Sequence, residues 1–488
     1  MGTVNPRSTA RRALLTLVLW AGFWLLGAGV VAALVWVPVA ESLYSGGVGG
    51  AGIFAAAGAL TVLWALRPRW SFRRRRRHED AEFLSRERFP ALFALLEDVA
   101  QRVGTRLPLK VYLDDRVTAF ITIERRWFGL RREAIVGVGF PLFALLSREE
   151  LASVLAHEFG HHAGGDLMLG PWVYRTRFSI ASAVDSLEDS AFFLDVPFRL
   201  YGQLFLRVSG AVSRQQELAA DALAARTCGP EATARALHKA NVLAPIWSAY
   251  LHHDVIPIIE KSVRVPLLEG FRAFFREKPW RAQIQHDIDE EARRPPSPWD
   301  SHPPFEERLR SLGHEGHREG DPLPLRELET GGCLELLGGE ASAEELFYEQ
   351  KTRGSLVSLR WEELGEKIIL PEIAKHLTGG ALDPRRTPLS ALPELLREGP
   401  RLWDRVRVHG LDILSPEAKR ERARLLLVQW LAAALAERGF VPELRPGQQL
   451  RLQHEGHFVE PASVVDWLIR GVWTEEQYRS WSGLIEQL

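Results

Sequence analysis

Cysteine is nearly absent. The 488 residues hold two, Cys228 and Cys333, and no CxxC. That excludes a disulfide framework and a thiolate zinc site built within the chain, and it fits a body kept in a reducing compartment. Both thiols are expected to be core residues. Net charge is missing as well: 61 basic against 62 acidic residues leaves −1. No global field therefore recruits nucleic acid, and none is expected as a partner. Lysine is scarce, 8 against 53 arginines, which reads as codon bias in a GC-rich genome rather than chemistry. No internal repeat occurs. The length allows two or three domains.

What is present begins with an apolar N-terminus. No charged residue occurs from Ala13 to Ala40, a run long enough to cross about 30 Å of hydrocarbon as a helix. Trp20, Trp24 and Trp36 suit interfacial anchoring. Arg11 and Arg12 precede the run, as in a signal peptide, but the run is too long for one and a second apolar stretch follows over 46–66. The second is Ala/Gly-rich and can pack closely on the first. Both read as transmembrane helices, 13–40 and 46–66, forming a hairpin. Arg7, Arg11 and Arg12 lie before it, and Arg67, Arg69 and Arg73 to Arg77 after it, while the link carries only Glu41. Residues 1–12 and everything beyond the basic linker 67–80 are thus expected on the cytoplasmic side of the cell (inner) membrane, with the lipid bilayer as a partner.

The body follows. Residues 86–105 have apolar residues at helical spacing, with Gly104 as a C-cap. Strands are expected at 107–115, 118–125 and 133–139. Ser147 and Glu150 form a capping box that starts another helix. Residues 167–212 are apolar but interrupted by Arg175, Arg177, Asp185, Glu188, Asp195, Arg199 and Arg207. They contain no convincing span and read as core-facing or bilayer-surface helices. Residues 214–228 form a helix closed by Gly229 and Pro230. Beyond a linker near 320, no catalytic motif occurs.

The chemistry concentrates in "SVLAHEFGHHAGGD", residues 153–166. HExxH places His157 and His161 one turn apart on one helix face, where both can meet a single zinc ion. Glu158 can then take a proton from a metal-bound water. A third protein ligand is needed. A histidine at 167 would make a metzincin, but that position is Leu167. Between 159 and 300 one glutamate alone has an aspartate four residues on: Glu217, with Asp221. That spacing suits a zinc ligand backed by a carboxylate that orients a ligating imidazole. His162 points off the ligand face. The two HEGH stretches, 314–317 and 454–457, read as turns rather than second metal sites, because the intervening Gly disfavours a helix.

"SVLAHEFGHHAGGD", "SRQQELAAD" and "SHPPFEERL", in that order, resemble the M48 metallopeptidases, which include HtpX-like and Ste24-like membrane proteases. The resemblance covers about residues 85 to 315. It implies a gluzincin-type zinc endopeptidase acting on polypeptide substrates, with one Zn2+ held by His157, His161 and Glu217, Glu158 as general base and Asp221 behind the ligands. It also implies that Asp166 is structural, that Arg308 lies near the active site, and that His302 acts on the transition state or substrate. The family's Asn-Ala-Phe stretch, where a peptide would add a strand, reads Thr118-Ala119-Phe120 here. The fold expected is mainly α with a small β-sheet, an α+β zincin-type protease domain at 81–320 preceded by the transmembrane hairpin, with an accessory region at 321–488. Misfolded membrane proteins are substrates of the kind the family suggests. A non-enzymatic membrane adaptor on the same scaffold is the competing expectation, opposed by the intact ligand set and base.

Overall fold

The computed structural model describes residues 6–66, 83–106, 110–126, 131–163, 179–182, 184–187, 194–277, 303–314, 332–352, 354–377, 382–406 and 415–487, with isolated residues at 282, 285–286, 289–290 and 380. By contact the chain divides into two compact units, Met1–Pro245 with Gln285–Gln350, and Ile246–Ile284 with Lys351–Leu488. The division expected near residue 320 falls elsewhere for physical reasons. Cys333 donates its backbone N–H to the Phe143 carbonyl, and Phe347 packs on Phe140 at 5.2 Å between ring centres, which ties 332–350 to the first unit.

The first unit opens with α1 (Pro6–Ser45) and α2 (Gly50–Leu66). Glu41 accepts the backbone N–H groups of Gly49 and Gly52 at 2.8 and 2.9 Å, capping α2. The two helices pack together, and Leu66 lies against Gly27 while Leu34 lies against Gly58, so they run antiparallel. Of the pair, Leu17–Ser45 is the helix long and apolar enough to cross a membrane, and only 11% of its apolar window is buried. It is therefore no core helix of a soluble body. α2 is shorter, at 17 residues.

A four-stranded sheet follows, in the order β1-β2-β4-β3, from β1 (Phe83–Leu84), β2 (Lys110–Asp114), β3 (Ala119–Arg126) and β4 (Arg131–Gly139). β2 and β4 are parallel and β3 pairs antiparallel with β4. β3 thus forms one edge. α3 (Pro90–Val103) ends at Gly104, whose φ of 80° suits its missing side chain. After α4 (Phe140–Leu145) comes α5 (Arg148–Ala163), which packs on α3, on β3 and on α6 (Asp195–Cys228). Leu151, Leu155, Ala156 and Phe159 bury one flank of α5 completely.

α6 runs for 34 residues, much longer than the 214–228 segment expected. The charges that interrupt 195–212 lie on one side of it. On the other, Phe198 and Phe205 are fully buried in a cluster with Leu19, Phe23, Val62 and Ala65 of α1 and α2. Tyr201 donates its hydroxyl to the Leu19 carbonyl at 2.5 Å, in space that Gly22 leaves open. The first half of α6 is thus a packing partner of the apolar helices.

The second unit centres on the helix Pro416–Ala436, with Trp430 and Leu431 fully buried. Tyr250 donates to the Leu267 carbonyl and Trp361 to that of Pro266, which fastens residues 246–277 to the C-terminal part. A three-stranded antiparallel sheet includes the second HEGH stretch, where Glu455 (φ 48°) and Gly456 (φ 84°) form the turn between paired His454 and His457.

The capping box expected at Ser147 is present: Ser147 N–H donates to Glu150 at 2.9 Å, and Glu150 N–H donates to Ser147 Oγ at 3.3 Å. The carboxylate of Glu150 is also buried, and accepts from Lys239 Nζ at 2.8 Å and Arg235 Nε at 3.2 Å on α7 (Pro230–Tyr250). Beside it Ser153 donates to Thr233 at 2.8 Å. Lys239 is itself buried, so this pair holds the helix of the HExxH motif against α7 at the cost of two desolvated charges. Lys239→Met will lower stability by about 3 kcal/mol, because it leaves Glu150 uncompensated in the interior. The double change Glu150→Gln/Lys239→Met will recover most of that loss, as thermal unfolding of the purified protein will record.

Candidate metal centre

α5 carries His157 and His161 one turn apart, and α6 brings Glu217 opposite them. Close approach depends on Gly160: a Cβ there would sit 3.0 Å from Leu223 Cδ2 and 3.6 Å from Ala220 Cα. The His157 and His161 Nε2 atoms are 3.2 Å apart. Glu217 Oε2 lies 3.5 Å from His157 Nε2, and Glu217 Oε1 lies 3.7 Å from His161 Nε2. Among the described residues these three form the one group that could hold a metal ion. A tetrahedral zinc with bonds of about 2.0–2.1 Å places its ligand atoms about 3.3 Å apart, so the set fits that ion.

Around the three runs a second layer of charge. His157 Nδ1 donates to Asp221 Oδ1 at 2.9 Å, which leaves Nε2 as the free lone pair for a metal. Arg308, on α8 (Phe305–Ser311), donates from Nε and Nη2 to both Asp221 oxygens at 2.7 Å. Its Nη2 is also 3.7 Å from Glu217 Oε2. α8 is fixed by Leu309 and Leu312, buried with Ala234. Three carboxylates, Glu158, Glu217 and Asp221, thus gather around one guanidinium. A divalent cation would bring the cluster to neutrality.

The electrostatics follow from crowding. Burial pushes the Glu158 carboxyl up, against the pull of the neighbouring imidazoles. Burial also disfavours charge on Asp221, but hydrogen bonds from Arg308 and His157 overcome it and hold this carboxylate below the usual range. For His157 burial works against the imidazolium, yet hydrogen bonds to Asp221 and Glu217 outweigh it and raise the ring to about 9.

Of the other expected residues, Thr118 precedes β3 and its carbonyl accepts from Gly139 N–H at 2.7 Å. Ala119 and Phe120 begin β3, in register with Val138 and Gly137. The Phe120 ring leans on Tyr112 over Gly137. Asp166 and His302 lie outside the described residues. His162 stands off the metal-facing side, and burial lowers its pKa. Gly160 escaped the sequence reading, although its place inside HEFGHH, between the two imidazoles, marked where a partner helix could approach.

Two imidazoles and a glutamate from a second helix, with a further glutamate beside the first imidazole, define a gluzincin-type metal hydrolase site. The model of peptidase family M48 matches residues 87–315. A protease HtpX homolog of Acidiphilium cryptum is 30% identical over 236 residues, 44% of this chain and 77% of that protein. One from Persephonella marina is 26% identical over 261 residues, 49% of this chain and 80% of the relative. Protease HtpX of Yersinia pestis is 34% identical over 123 residues, 24% of this chain and 38% of its own length. The chain belongs to peptidase family M48 and is a metallopeptidase.

The raised pKa of His157 sets the pH dependence of metal loading. In the metal-free protein at pH 7 the ring carries a proton, because 7 lies below its value of about 9. A metal requires the neutral form. Zinc binding at pH 7 will release about one proton from this ring, and affinity will climb about tenfold per pH unit between 7 and 9. Calorimetric titration in buffers of different ionisation enthalpy measures the proton; a buffer-independent heat would contradict it.

Proposed function

We propose that this metallopeptidase is a membrane-anchored zinc endopeptidase that cleaves polypeptides on the cytoplasmic side. The convergence of His157, His161 and Glu217, with Glu158 adjoining the first, carries the reading. When bound, zinc supplies a water of lowered pKa and polarises the scissile carbonyl. Glu158 takes a proton at its carboxylate and passes it to the leaving amine nitrogen. Its raised pKa suits that task, since a base titrating closer to neutrality also serves as the acid of the second step. Asp221 fixes the tautomer of His157, and Arg308 fixes Asp221. His302 assists the transition state, and Asp166 is structural, by their places in the family motifs.

β3 lies at a sheet edge beside α5. An extended peptide adds to that edge through backbone hydrogen bonds, along Thr118, Ala119 and Phe120. Backbone recognition tolerates threonine where relatives have asparagine, because the carbonyls and N–H groups remain.

α1 and α2 form the membrane anchor, a hairpin with both ends inside. Leu25, Trp36, Ile53, Phe54 and Leu60 are exposed along it, which supports a lipid-facing role. Packing of α1 against α6 supports retention rather than removal as a signal peptide. The arginines flanking the hairpin support the cytoplasmic orientation. Two relatives are named HtpX homologs and another HtpX. Together with the anchor, this supports a role in disposing of damaged membrane proteins.

Glu158→Gln will abolish casein cleavage, by about 10²–10⁴-fold, while bound zinc stays near one per chain. Chelation will abolish cleavage in the unaltered protein and zinc will restore it. Activity that survives the substitution would remove Glu158 from the mechanism.

A further inference from the structure

We infer that the face of α6 opposite the membrane hairpin is a polar track that guides acidic stretches of substrate from the level of the bilayer to the metal centre. The inference rests on the function proposed above and adds a specificity determinant to it.

The track is a property of one helix. At 100° per residue, Arg199, Gln203, Arg207, Arg214, Glu217 and Asp221 fall within an arc of about 80°. Phe198, Tyr201 and Phe205, the residues that pack on α1 and α2, lie on the opposite side. The last two residues of the stripe are those that meet His157 and Arg308. Earlier along it, Arg199, Gln203 and Arg207 are exposed.

Depth makes this unusual. Tyr201 bonds to Leu19, Phe198 touches Phe23, and Leu194 lies beside Gly58. Arg199 and Gln203 therefore sit alongside the part of α1 that lies inside its uncharged run, which starts at Ala13. An arginine facing acyl chains at that depth is costly, and ionisable residues at membrane level mark polar paths. Asp195 relieves part of the cost, 3.5 Å from Arg199. Leu200 and Leu204 are exposed on the next strip of the helix, where lipid suits them. The polar strip instead lines water, and its continuity with Glu217 selects a substrate chain as the occupant. Its basic side chains select acidic residues on that chain.

Spacing fixes where those acids stand. Along the helix axis Arg207 lies about 15 Å from Glu217 and Arg199 about 27 Å. An extended peptide covers about 3.3 Å per residue, so the acids stand about five to eight residues from the scissile bond.

The test uses the full chain, zinc-loaded, in lipid nanodiscs. Two fluorogenic peptides share a cleavable core taken from casein, and differ only in carrying Asp/Glu or Lys residues five to eight positions from the cleaved bond. The acidic peptide is expected to show a kcat/KM about tenfold higher. Arg199→Gln/Arg207→Gln brings that ratio near one, and Arg199→Glu/Arg207→Glu inverts it. A ratio of one in the unaltered protein, or one indifferent to both double variants, overturns the track. Casein cleaved by the unaltered protein but not by Glu158→Gln keeps the endopeptidase reading whatever the ratio; casein left uncleaved sinks that reading instead. A second measurement does not depend on turnover. With Cys228 and Cys333 changed to Ser, Gln203→Cys is expected to react with a charged maleimide at least about tenfold faster than Leu60→Cys on the hairpin. Equal protection of both positions excludes a water-lined stripe.

Discussion

Everything at the metal centre depends on the close approach of two helices. α5 offers two imidazoles at helical spacing, but a helix alone presents only two ligands on one face. The third must come from elsewhere, and it arrives because α6 meets α5 where Gly160 lacks a side chain and Ala220 faces it. At that separation the carboxylate of Glu217 falls within 3.7 Å of both rings. A bulkier residue at either position would move Glu217 outward by a distance comparable to a metal–ligand bond. Tetrahedral zinc tolerates little of that, since its bonds are short and directional.

The cluster is organised by charge rather than by shape. Three carboxylates within a few ångströms repel one another, and burial worsens this. Arg308 offsets one charge and a divalent ion would offset two. Without the ion, His157 takes up a proton, which is why Asp221 and Glu217 lift it to about 9. The metal-free and metal-loaded states thus approach neutrality by different routes, one through a proton and the other through the cation. The bidentate Arg308 pair belongs to both and holds Asp221 in place through the exchange.

How much of this could be read from the chain depends on how local each signal is. His157, His161 and the capping box at Ser147 follow from spacing within one helix, and the three strands from short alternating or apolar runs. Glu217 needed the i, i+4 relation to Asp221, which survives because both lie on one helix. The start of α6 at Asp195 was not legible. Arg199 and Arg207 lower the mean polarity of a window whose buried residues, Phe198, Tyr201 and Phe205, recur every three or four positions, and averaging hides that period. The separation of residues 246–277 from the metal-bearing unit is likewise set by long-range packing of Tyr250 with Phe271 and Trp361, which no local pattern encodes.

The same helix that supplies Glu217 also packs against the apolar hairpin, and this has a mechanical consequence. An uninterrupted helix transmits position well: α6 contains no proline beyond its first turn among residues 195–228. Fixing Tyr201 on Leu19 therefore limits where Glu217 can stand, about 24 Å further along the axis. The hairpin also supplies the apolar surface that buries Phe198 and Phe205. Each fully buried phenylalanine contributes about 1.5–3 kcal/mol relative to exposure, comparable to a strong ligand-orienting hydrogen bond. A soluble fragment that began after the hairpin would expose those rings and free the first half of α6, and the loss would be felt at the carboxylate as well as at the membrane. Anchor and metal centre are in this sense one structure, joined through a single backbone rather than through a linker.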